Sequence, residues 1–429
     1  MAQRGIREFD GKRMMARHWP LYFGRLPAYS GQIVLVGPDT DMSVLTQEHA
    51  WLAQGKLVVK PDQLFGKRGK HGLIKVAATF EEARRWIEER MNKETPVGKI
   101  VDTLTHFLIE PYVPHEGEYY VAIKSDREGD TIYFSNHGGV DIESVWDTVS
   151  TIHVGVVEDV EQIDVASGLP QDTPTDKKEL LADFVQGLCK FYRDLAYTYL
   201  EINPFTVVGQ AIVPLDLVAR LDDTARFECG DKWGDVAFPA PFGRRLSQEE
   251  QYIKELDEKS GASLKLTVLN PRGRVWTMVA GGGASVIYTD TIVDLGYASE
   301  LANYGEYSGN PSTSETYEYA KTILDLMTRE KDAQGRPKYL LIGGGIANFT
   351  DVAKTFTGIT MALREYRDKL REAGVHVFVR RGGPNYQEGL RMMTELGQQL
   401  GVPVEVYGPE MHMTRIVNVA LESGTKGGA

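Results

Sequence analysis

The stretch that decides the fold reads Glu201-Ile202-Asn203-Pro204, and it pairs with Pro214-Leu215-Asp216-Leu217 a short way along the chain. A short hairpin brings the side-chain amide oxygen of Asn203 and the carboxylate of Asp216 together. Both are hard oxygen ligands of the kind that hold Mg²⁺ against phosphates, with water completing the shell. The structural alternative is that Asn-Pro forms an ordinary turn, which Asp216 merely caps. Asn203 and Asp216 are therefore candidate magnesium ligands.

Upstream of this hairpin, Lys60 ends an apolar strand and is followed by the loop Gly66-Lys67-Arg68-Gly69-Lys70. A lysine fixed on a strand and a mobile basic loop are the parts that hold a triphosphate, whose charge must be neutralised before phosphoryl transfer. An exposed basic hairpin is the competing interpretation. A weaker signal is the apolar run 107–113 with Glu118 after it, because such a strand suits an adenine edge and ribose hydroxyls, although any edge strand reads similarly.

Composition excludes several classes of protein. The chain has 429 residues, 42% hydrophobic and 25% charged, as in ordinary soluble globular proteins, and its length predicts two or three domains. A net charge of -12 argues against nucleic-acid and anionic-membrane partners. Only Cys189 and Cys229 occur, without a CxxC motif, which indicates a reducing, cytoplasmic environment. No apolar run is long enough for a signal peptide or a membrane span.

The first part of the chain alternates short apolar runs with amphipathic stretches, which is typical of an α/β fold. We expect a mixed sheet, because several strands follow one another without room for a helix. The predicted strands and helices include the strand 212–217 and the helices 81–91 and 177–197. Two prolines within residues 237–244 indicate a linker. The expected domains are therefore 1–240 and 245–424.

The second part has three predicted strands that each run into a glycine turn. These turns are Gly281-Gly282-Gly283, Gly343-Gly344-Gly345 and Arg380-Arg381-Gly382-Gly383. In open parallel sheets, ligands bind beyond the carboxyl ends of the strands, where glycines let backbone N–H groups approach an anion. Tight turns need glycine for geometry alone, but three of them with paired arginines favour a site for a small anion. Neither a dinucleotide fingerprint nor a P-loop is present.

A family resemblance now becomes visible in the first domain. Its motifs, in order, are Val59-Lys60-Pro61-Asp62, Ile109-Glu110-Pro111, His137-Gly138-Gly139-Val140, Glu201-Ile202-Asn203-Pro204 and Leu215-Asp216. This order and spacing resemble the ATP-grasp subunits of succinyl-CoA synthetase-like enzymes. The resemblance implies that Lys60, Arg68, Gly69, Pro111, Val113 and Glu118 line ATP, that Asn203 and Asp216 hold Mg²⁺, and that Lys60 and Arg68 are catalytic.

The second domain narrows the resemblance to the N-terminal portion of the ATP-citrate lyase family. The strings that carry it are 278–285, 303–309, 346–350 and 378–390. The fold implied is an ATP-grasp domain followed by a flavodoxin-like or Rossmann-like parallel-sheet domain. The implied citrate contacts are Ser308, Gly309, Asn348, Phe349, Thr350, Tyr366 and Arg381, with Arg381 also catalytic, and the implied secondary cation ligands are Asp257, Ser260 and Ala262. Gly345 stands where some family members have serine, which removes one side-chain donor.

The resemblance also implies a partner. Longer family members carry a CoA-binding domain, with a phosphorylated histidine in a Gly-His-Ala-Gly context, and a citrate-synthase-like domain, and neither pattern occurs here. His137 belongs to the ATP-grasp motif and is expected to be a loop residue near the phosphates. We therefore expect the smaller subunit of a two-gene enzyme, rather than a truncated N-terminal half, with residues 423–429 as a flexible natural end. The larger subunit would carry the phosphohistidine and bind most of CoA.

The activity implied is a relay. Mg-ATP phosphorylates the partner's histidine, the phosphate passes to citrate, and citryl-CoA is cleaved to acetyl-CoA and oxaloacetate. The first alternative is an ADP- or GDP-forming succinyl- or malyl-CoA ligase beta subunit, which shares the ATP-grasp motifs but lacks the strings 303–309 and 348–350. The second is an idle binding or regulatory subunit, against which intact Lys60, Asn203 and Asp216 argue.

Overall fold

A computed structural model of the protein describes residues 3–139 and 142–423 and divides into two compact units, Met1–Arg245 and Leu246–Ala429. Val140 of the predicted His137 motif and residue 424 of the second predicted domain lie outside the described residues.

The first unit is a mixed α/β body. Its strands are β1 Gln3–Ile6, β2 Val34–Val36, β3 Leu57–Pro61, β4 Lys75–Ala78, β5 Lys93–Val97, β6 Ile100–Leu104, β7 Phe107–Pro111, β8 Tyr119–Ser125, β9 Gly129–Ser135, β10 Ser150–Gly155, β11 Tyr197–Val208, β12 Ala211–Pro214 and β13 Leu217–Asp222. Its α-helices are α1 Glu8–Tyr22, α2 Leu45–Glu48, α3 Phe80–Glu88, α4 Val165–Gly168, α5 Thr175–Asp194 and α6 Arg226–Trp233.

The two main sheets of this unit are antiparallel. The larger has the order β1-β13-β11-β8-β9-β10, with β12 paired to β11, and the smaller has the order β2-β7-β3-β4. Helices α1 and α5 pack on the larger sheet, burying Met15, Phe184 and Leu188 against Leu200 and Phe205. Helix α3 begins with a capping box at Thr79 and packs against the smaller sheet. Both sheets thus bury one apolar face against helices.

One predicted strand is wrong. Residues 212–217 were expected to form a single strand, but the structure has β12 up to Pro214 and β13 from Leu217, with Leu215 and Asp216 between them. The backbone N–H groups of Leu215 and Asp216 both donate to the carbonyl oxygen of Pro204, at 2.9 and 3.1 Å. Because of these bonds, Leu215 and Asp216 do not pair within the sheet. The interruption between β12 and β13, which contains Asp216, therefore lies directly beside the Asn203-Pro204 turn.

The second unit contains one parallel sheet with an antiparallel edge strand. Its strands are β14 Ser263–Val268, β15 Val275–Ala280, β16 Asn303–Ser308, β17 Lys338–Gly344, β18 Val375–Arg380 and β19 Val404–Tyr407. Its helices are α7 Gln248–Lys259, α8 Gly282–Asp294, α9 Thr313–Thr328, α10 Val352–Glu365, α11 Arg367–Glu372, α12 Tyr386–Leu400 and α13 Arg415–Ser423. The sheet order is β14-β16-β15-β17-β18-β19, and only β14 runs antiparallel.

Strands β15 to β19 follow the flavodoxin-like order 2-1-3-4-5, which confirms the parallel-sheet fold expected for this part of the chain. Alternate residues of β15 and β17 enter opposite cores, as two-sided burial requires. Trp276 and Leu340 pack with α9, α10 and α12, whereas Val275 and Leu341 pack with α8 and α13. The strand order reverses between β15 and β17, so the switch point lies at their carboxyl ends.

Candidate functional site

In the first unit, Lys60 lies at the centre of a buried ionic cluster. Its Nζ atom is 2.7 Å from Glu8 Oε1 and 2.9 Å from Glu110 Oε1, and it donates to the carbonyl oxygen of Leu215 at 2.5 Å. Strands β3 and β7 pair so that Lys60 and Glu110 lie diagonally on one face of the smaller sheet. Lys60 is therefore held by contacts from three separate segments of the chain.

Arg68 joins the same cluster from the basic loop. Its side chain is buried, Nη1 donates to Pro61 O at 2.8 Å, and Nη2 is 2.7 Å from Glu8 Oε2 and in contact with Asp216 Oδ1. Gly69 beside it is exposed. The loop predicted to be mobile thus anchors its one buried cation, Arg68, between Glu8 and Asp216.

The sequence reasoning missed Glu8 and Lys12, one turn apart on α1. Lys12 Nζ is fully buried, 2.8 Å from Glu8 Oε1 and 2.6 Å from Glu110 Oε2, and it donates to Leu215 O at 3.1 Å. Two charges at i and i+4 on a helix with apolar neighbours are the only signal for this pair in the sequence. The long-range partner Glu110 is supplied by the fold.

The charges of the cluster shift the pKa values of its carboxyl groups. Burial by itself raises the pKa of Glu8, but the cations of Lys12, Lys60 and Arg68 outweigh burial and hold that pKa well below its usual value. Asp62 accepts hydrogen bonds from the N–H groups of Glu8 and Phe9 at 2.9 and 3.0 Å. Burial and, next, the negative charge of Glu8 raise the pKa of Asp62 to about 6.

Asn203 and Asp216 are brought together as predicted. The Asn203 N–H donates to Asp216 O at 3.0 Å, and the Asn203-Pro204 peptide is cis. Asn203 Oδ1 accepts the N–H of Gly139 at 2.7 Å. Burial raises the pKa of the Asp216 carboxyl, with the positive charge of Arg68 opposing that effect. The two predicted ligands are neighbours, and Asp216 is paired with Arg68.

The remaining predicted nucleotide contacts lie on the connection between β7 and β8. Pro111 ends β7, the carbonyl oxygen of Val113 lies 2.7 Å from His115 Nδ1, and His115 Nε2 lies 3.2 Å from Glu118 Oε1. A Cβ atom on Gly139 would be 2.4 Å from Glu118 Oε2. Glu118 therefore packs on the same glycine that contacts Asn203, and a continuous chain of contacts links Glu118 to Lys60.

His137 is exposed beside this chain of contacts. Its N–H donates to Ser135 Oγ at 3.1 Å, which fixes the backbone and leaves the ring outside. The placement is that of a loop residue.

Magnesium fits the donor set at Asn203 and Asp216. Mg²⁺ binds through one or two carboxylates together with phosphates and water, rather than within an all-protein cage. One amide oxygen and one carboxylate match that pattern, and the residues described contain no group of three His, Cys, Asp or Glu side chains placed to hold a metal. A cation at Asp216 would share this carboxylate with Arg68.

The second unit places its predicted ligands at the carboxyl edge of its sheet. Ser308 ends β16 and donates through Oγ to Glu306 Oε1 at 3.2 Å, and Gly309 follows with φ +75°. A side chain at Gly309 would be strained by this φ and would approach Ala262. The turn after β16 thus leaves the backbone of Gly309 accessible.

The paired arginines after β18 have different roles. The guanidinium of Arg380 donates hydrogen bonds to the carbonyl oxygens of Met411, Gly344 and Pro409. Arg381 is equally buried and donates through Nη1 to Gly345 O at 2.7 Å. Its guanidinium also lies beside the hydroxyl of Tyr307, and its Nε forms no hydrogen bond within the part of the chain described. Arg380 is structural, whereas Arg381 keeps donor capacity for a ligand.

The loop after β17 carries the next three predicted contacts. Asn348 is exposed, Phe349 is 67% exposed, and Thr350 is buried at 8%. Asp351 follows and caps α10 by accepting the N–H of Lys354.

Backbone contacts join this loop to its neighbours. The N–H of Ala347 donates to Gly382 O at 2.9 Å, and the N–H of Asp351 donates to Asn310 Oδ1 at 3.3 Å. The segments that carry Ser308, Asn348 and Arg381 therefore form one connected edge.

Tyr366 does not join this edge. It follows the last residue of α10, which begins at the carboxyl edge, and a helix of 14 residues extends about 21 Å. The Tyr366 hydroxyl donates instead to Asp325 Oδ1 at 3.4 Å, near the end of α9. The prediction that Tyr366 contacts citrate rested on the family resemblance alone. In the structure, Tyr366 lies at the far end of α10 from Ser308 and Arg381.

The predicted secondary cation ligands lie in one turn between α7 and β14. Both oxygens of Asp257 already have protein partners, the N–H of Leu264 and the ammonium of Lys265, and Ser260 Oγ accepts the N–H of Ala262. A cation bound here would have to displace Lys265 from Asp257. This site stays a prediction.

Comparison with known proteins decides the family. Residues 2–233 match the model of the ATP-citrate synthase ATP-grasp domain, and residues 244–423 match that of the ATP citrate lyase citrate-binding domain. The chain belongs to the ATP-citrate synthase family. It is 50% identical to the ATP-citrate synthase alpha chain protein 2 of rice, covering 98% of this chain and 99% of the relative.

Other members of the ATP-citrate synthase family are longer. The chain is 53% identical to the cattle ATP-citrate synthase over 98% of its own length, but it spans only 38% of that relative. A solved structure of ATP citrate lyase from Methanothrix soehngenii, in complex with citrate and coenzyme A, is 57% identical with a TM-score of 0.89, covering 98% of this chain and 100% of that one. In the described residues, no helix is both long and apolar enough to cross a membrane.

Proposed function

We propose that this chain is the subunit of an ATP-citrate lyase that binds Mg-ATP in its first unit and citrate in its second. The observation that carries the proposal is Arg381, a buried guanidinium with an unused Nε at the glycine-rich switch point. A buried cation with free donors needs an anion, and a planar guanidinium suits a carboxylate. The family membership of both units supports the same assignment.

In the first unit, the proposed work is positioning and charge neutralisation. Lys60 and Arg68 hold the triphosphate and are the catalytic cations, and Gly69, Pro111, Val113 and Glu118 line the nucleotide. Asn203 and Asp216 hold Mg²⁺, which when bound neutralises charge on the phosphates. The chain of contacts from Glu118 through Gly139 to Asn203 and Asp216 supports one continuous nucleotide site.

In the second unit, the proposed ligand is citrate. Arg381 binds a carboxylate through its donors, Ser308 and Thr350 offer hydroxyls, and Asn348 offers an amide. The backbone of Gly309 and the exposed ring of Phe349 complete the site. The backbone bonds that connect these loops support a single tribasic-acid site, and Tyr366 is left out of it.

The proposed chemistry is a phosphoryl relay. The γ-phosphoryl group leaves ADP and bonds to a histidine nitrogen of the partner, then to a citrate carboxylate oxygen, which gives citryl phosphate. The CoA thiol loses its proton and displaces phosphate, which gives citryl-CoA, and cleavage of a carbon–carbon bond then releases acetyl-CoA and oxaloacetate. In this chain the residues orient the reacting groups and offset charge, and no covalent nucleophile is required of it.

The proposed partner is the larger subunit with the phosphohistidine, CoA-binding and citrate-synthase-like domains. Support comes from length, because the chain spans 38% of the cattle relative and nearly all of a plant relative named as an alpha chain. CoA would be bound mainly by that partner. We place the complex in the cytoplasm, in keeping with Cys189 and Cys229, both buried and unpaired.

Ligand-induced stabilisation tests the proposal against the ligase alternative. A ligand that binds only the folded chain raises the unfolding temperature, and at equal concentration a tighter ligand raises it more. We expect citrate to raise it and succinate or malate to raise it far less, at equal concentration. Stabilisation by succinate or malate without citrate would mean a succinyl- or malyl-CoA ligase beta subunit. Addition of the larger subunit should then give citrate-dependent acetyl-CoA formation.

A further inference from the structure

The ionic cluster around Lys60 contains a second lysine that no expected role in the ATP site uses. Lys12 Nζ and Lys60 Nζ both lie within ion-pair distance of Glu8 Oε1, each is close to one carboxylate oxygen of Glu110, and both donate to the carbonyl oxygen of Leu215. Two ammonium groups that face one set of oxygens are held in fixed positions relative to each other.

Lys12 itself cannot touch a nucleotide. Its side chain is fully buried, with an exposure of 0%, and both neighbouring carboxylates close over it. Any effect of Lys12 on a nucleotide must therefore act through Glu8, Glu110 and Lys60.

The balance of charge shows what that effect is. Lys12, Lys60 and Arg68 face the carboxylates of Glu8 and Glu110, and Arg68 also faces Asp216. Three cations thus face three carboxylates directly, and a fourth carboxyl, that of Asp62, interacts with both Glu8 and Arg68. Without Lys12, the same carboxylates would be shared by Lys60 and Arg68 alone, and the cluster would carry one more negative charge. A buried negative charge repels a triphosphate at short range.

We propose that Lys12 is a positioning residue of the ATP site: it neutralises Glu8 and Glu110, so that the positive charge of Lys60 and Arg68 remains available to the triphosphate. This inference rests on the proposed function, since it requires that the first unit binds ATP. It assigns to α1 a part in nucleotide binding that the ATP-grasp motifs do not contain.

Removal and restoration of charge test the idea in the full chain. Binding of Mg-ATP and of citrate is measured by calorimetry for the wild type, Lys12→Met, Glu8→Gln and the double variant. We expect Lys12→Met to weaken Mg-ATP binding roughly tenfold and leave citrate binding unchanged. Glu8→Gln should bind Mg-ATP more tightly than the wild type, and the double variant should return to about the wild-type affinity. Lys190→Met, which removes an exposed lysine paired with Glu161, is the control.

The outcomes separate the possibilities. If folded Lys12→Met binds Mg-ATP like the wild type, or if the double variant binds as weakly as the single one, the charge-balance role is wrong. Should Lys12→Met fail to fold, the double variant is compared with Glu8→Gln, and equal affinities overturn the inference. A wild-type chain that binds citrate but no Mg-ATP would instead refute the proposed function. In the reconstituted enzyme, Lys12→Met should raise the KM for ATP with little change in kcat.

Discussion

The backbone N–H of Asn203 donates a 3.0 Å hydrogen bond to the carbonyl oxygen of Asp216. This bond holds the two proposed magnesium ligands side by side through the main chain. It does not depend on either side chain, so the amide and the carboxylate can be altered without separating the segments that carry them.

Asp216→Asn should therefore abolish phosphorylation of the partner's histidine and leave citrate binding intact. The substitution keeps the shape of the side chain but removes the charge that Arg68 contacts and that is proposed to bind Mg²⁺. Transfer of labelled phosphate from ATP to the larger subunit measures the first effect, and calorimetry with citrate measures the second. Normal histidine labelling in the variant would remove Asp216 from the magnesium site.

Arg381→Ala should have the opposite effect, with weaker citrate binding and normal histidine phosphorylation. Loss of a charge-assisted hydrogen bond costs about 2 kcal/mol, or roughly a thirtyfold rise in the citrate Kd. Arg391→Ala is the matched control, because Arg391 is exposed on α12 and pairs with Glu388 and Glu395 on the same helix. Equal loss of both steps in Arg381→Ala would contradict the division of labour between the two units.

Gly345→Ser should tighten citrate binding about fivefold, which is the value of one added neutral hydrogen bond of about 1 kcal/mol. The space permits it, since a Cβ atom at Gly345 meets nothing within 4 Å, and the Gly345 carbonyl would still accept from Arg381. Gly345→Ala fills the same space without a donor and serves as the control. If both variants bind citrate alike, the hydroxyl has no ligand to reach.

The raised pKa of Asp62, about 6, predicts a pH dependence of stability. An unfolded aspartate titrates near 3.9, so between roughly pH 4 and 6 the folded state binds more protons. The free energy of unfolding should therefore increase as the pH falls through 6, by about 1 kcal/mol between pH 7 and 5. Asp62→Asn should lack this gain.

Urea unfolding at the two pH values measures this gain. Tryptophan fluorescence reports mainly on the first unit, because every tryptophan except Trp276 lies there. Asp231→Asn, at an exposed position on α6, should keep the wild-type pH dependence. A gain in Asp62→Asn equal to that of the wild type would show that Asp62 is already charged at pH 5.

The local pattern of apolar residues predicted the α/β class, because apolar runs mark the strands that the fold buries. Strands β15, β17 and β18 are apolar runs buried on both faces, and each ends in a glycine turn as expected. Helix α1 was missed because its buried face carries Glu8, Asp10 and Lys12, so charge masks the apolar periodicity. Lys12 is buried against Glu110, and Glu8 is buried against Arg68, two partners that the fold brings from distant segments.

The same limit applies to the candidate sites. Asn203 and Asp216 were found together because a short hairpin links them. The different roles of Arg380 and Arg381 could not be predicted from two adjacent arginines in the sequence, since these roles depend on which carbonyl oxygens the fold places near each side chain. Tyr366 shows the converse, because its position along α10 sets its distance from the carboxyl edge.

The proposed citrate contacts come from separate loops, one after β16, one after β17 and one after β18. These loops lie at the carboxyl edge of the sheet, whereas the hydrophobic cores lie on its two faces. Each loop can change without disturbing the strands beneath it. The acid that the second unit accepts is therefore an evolvable trait, in which exchange of a single loop alters substrate preference while the inherited scaffold remains intact.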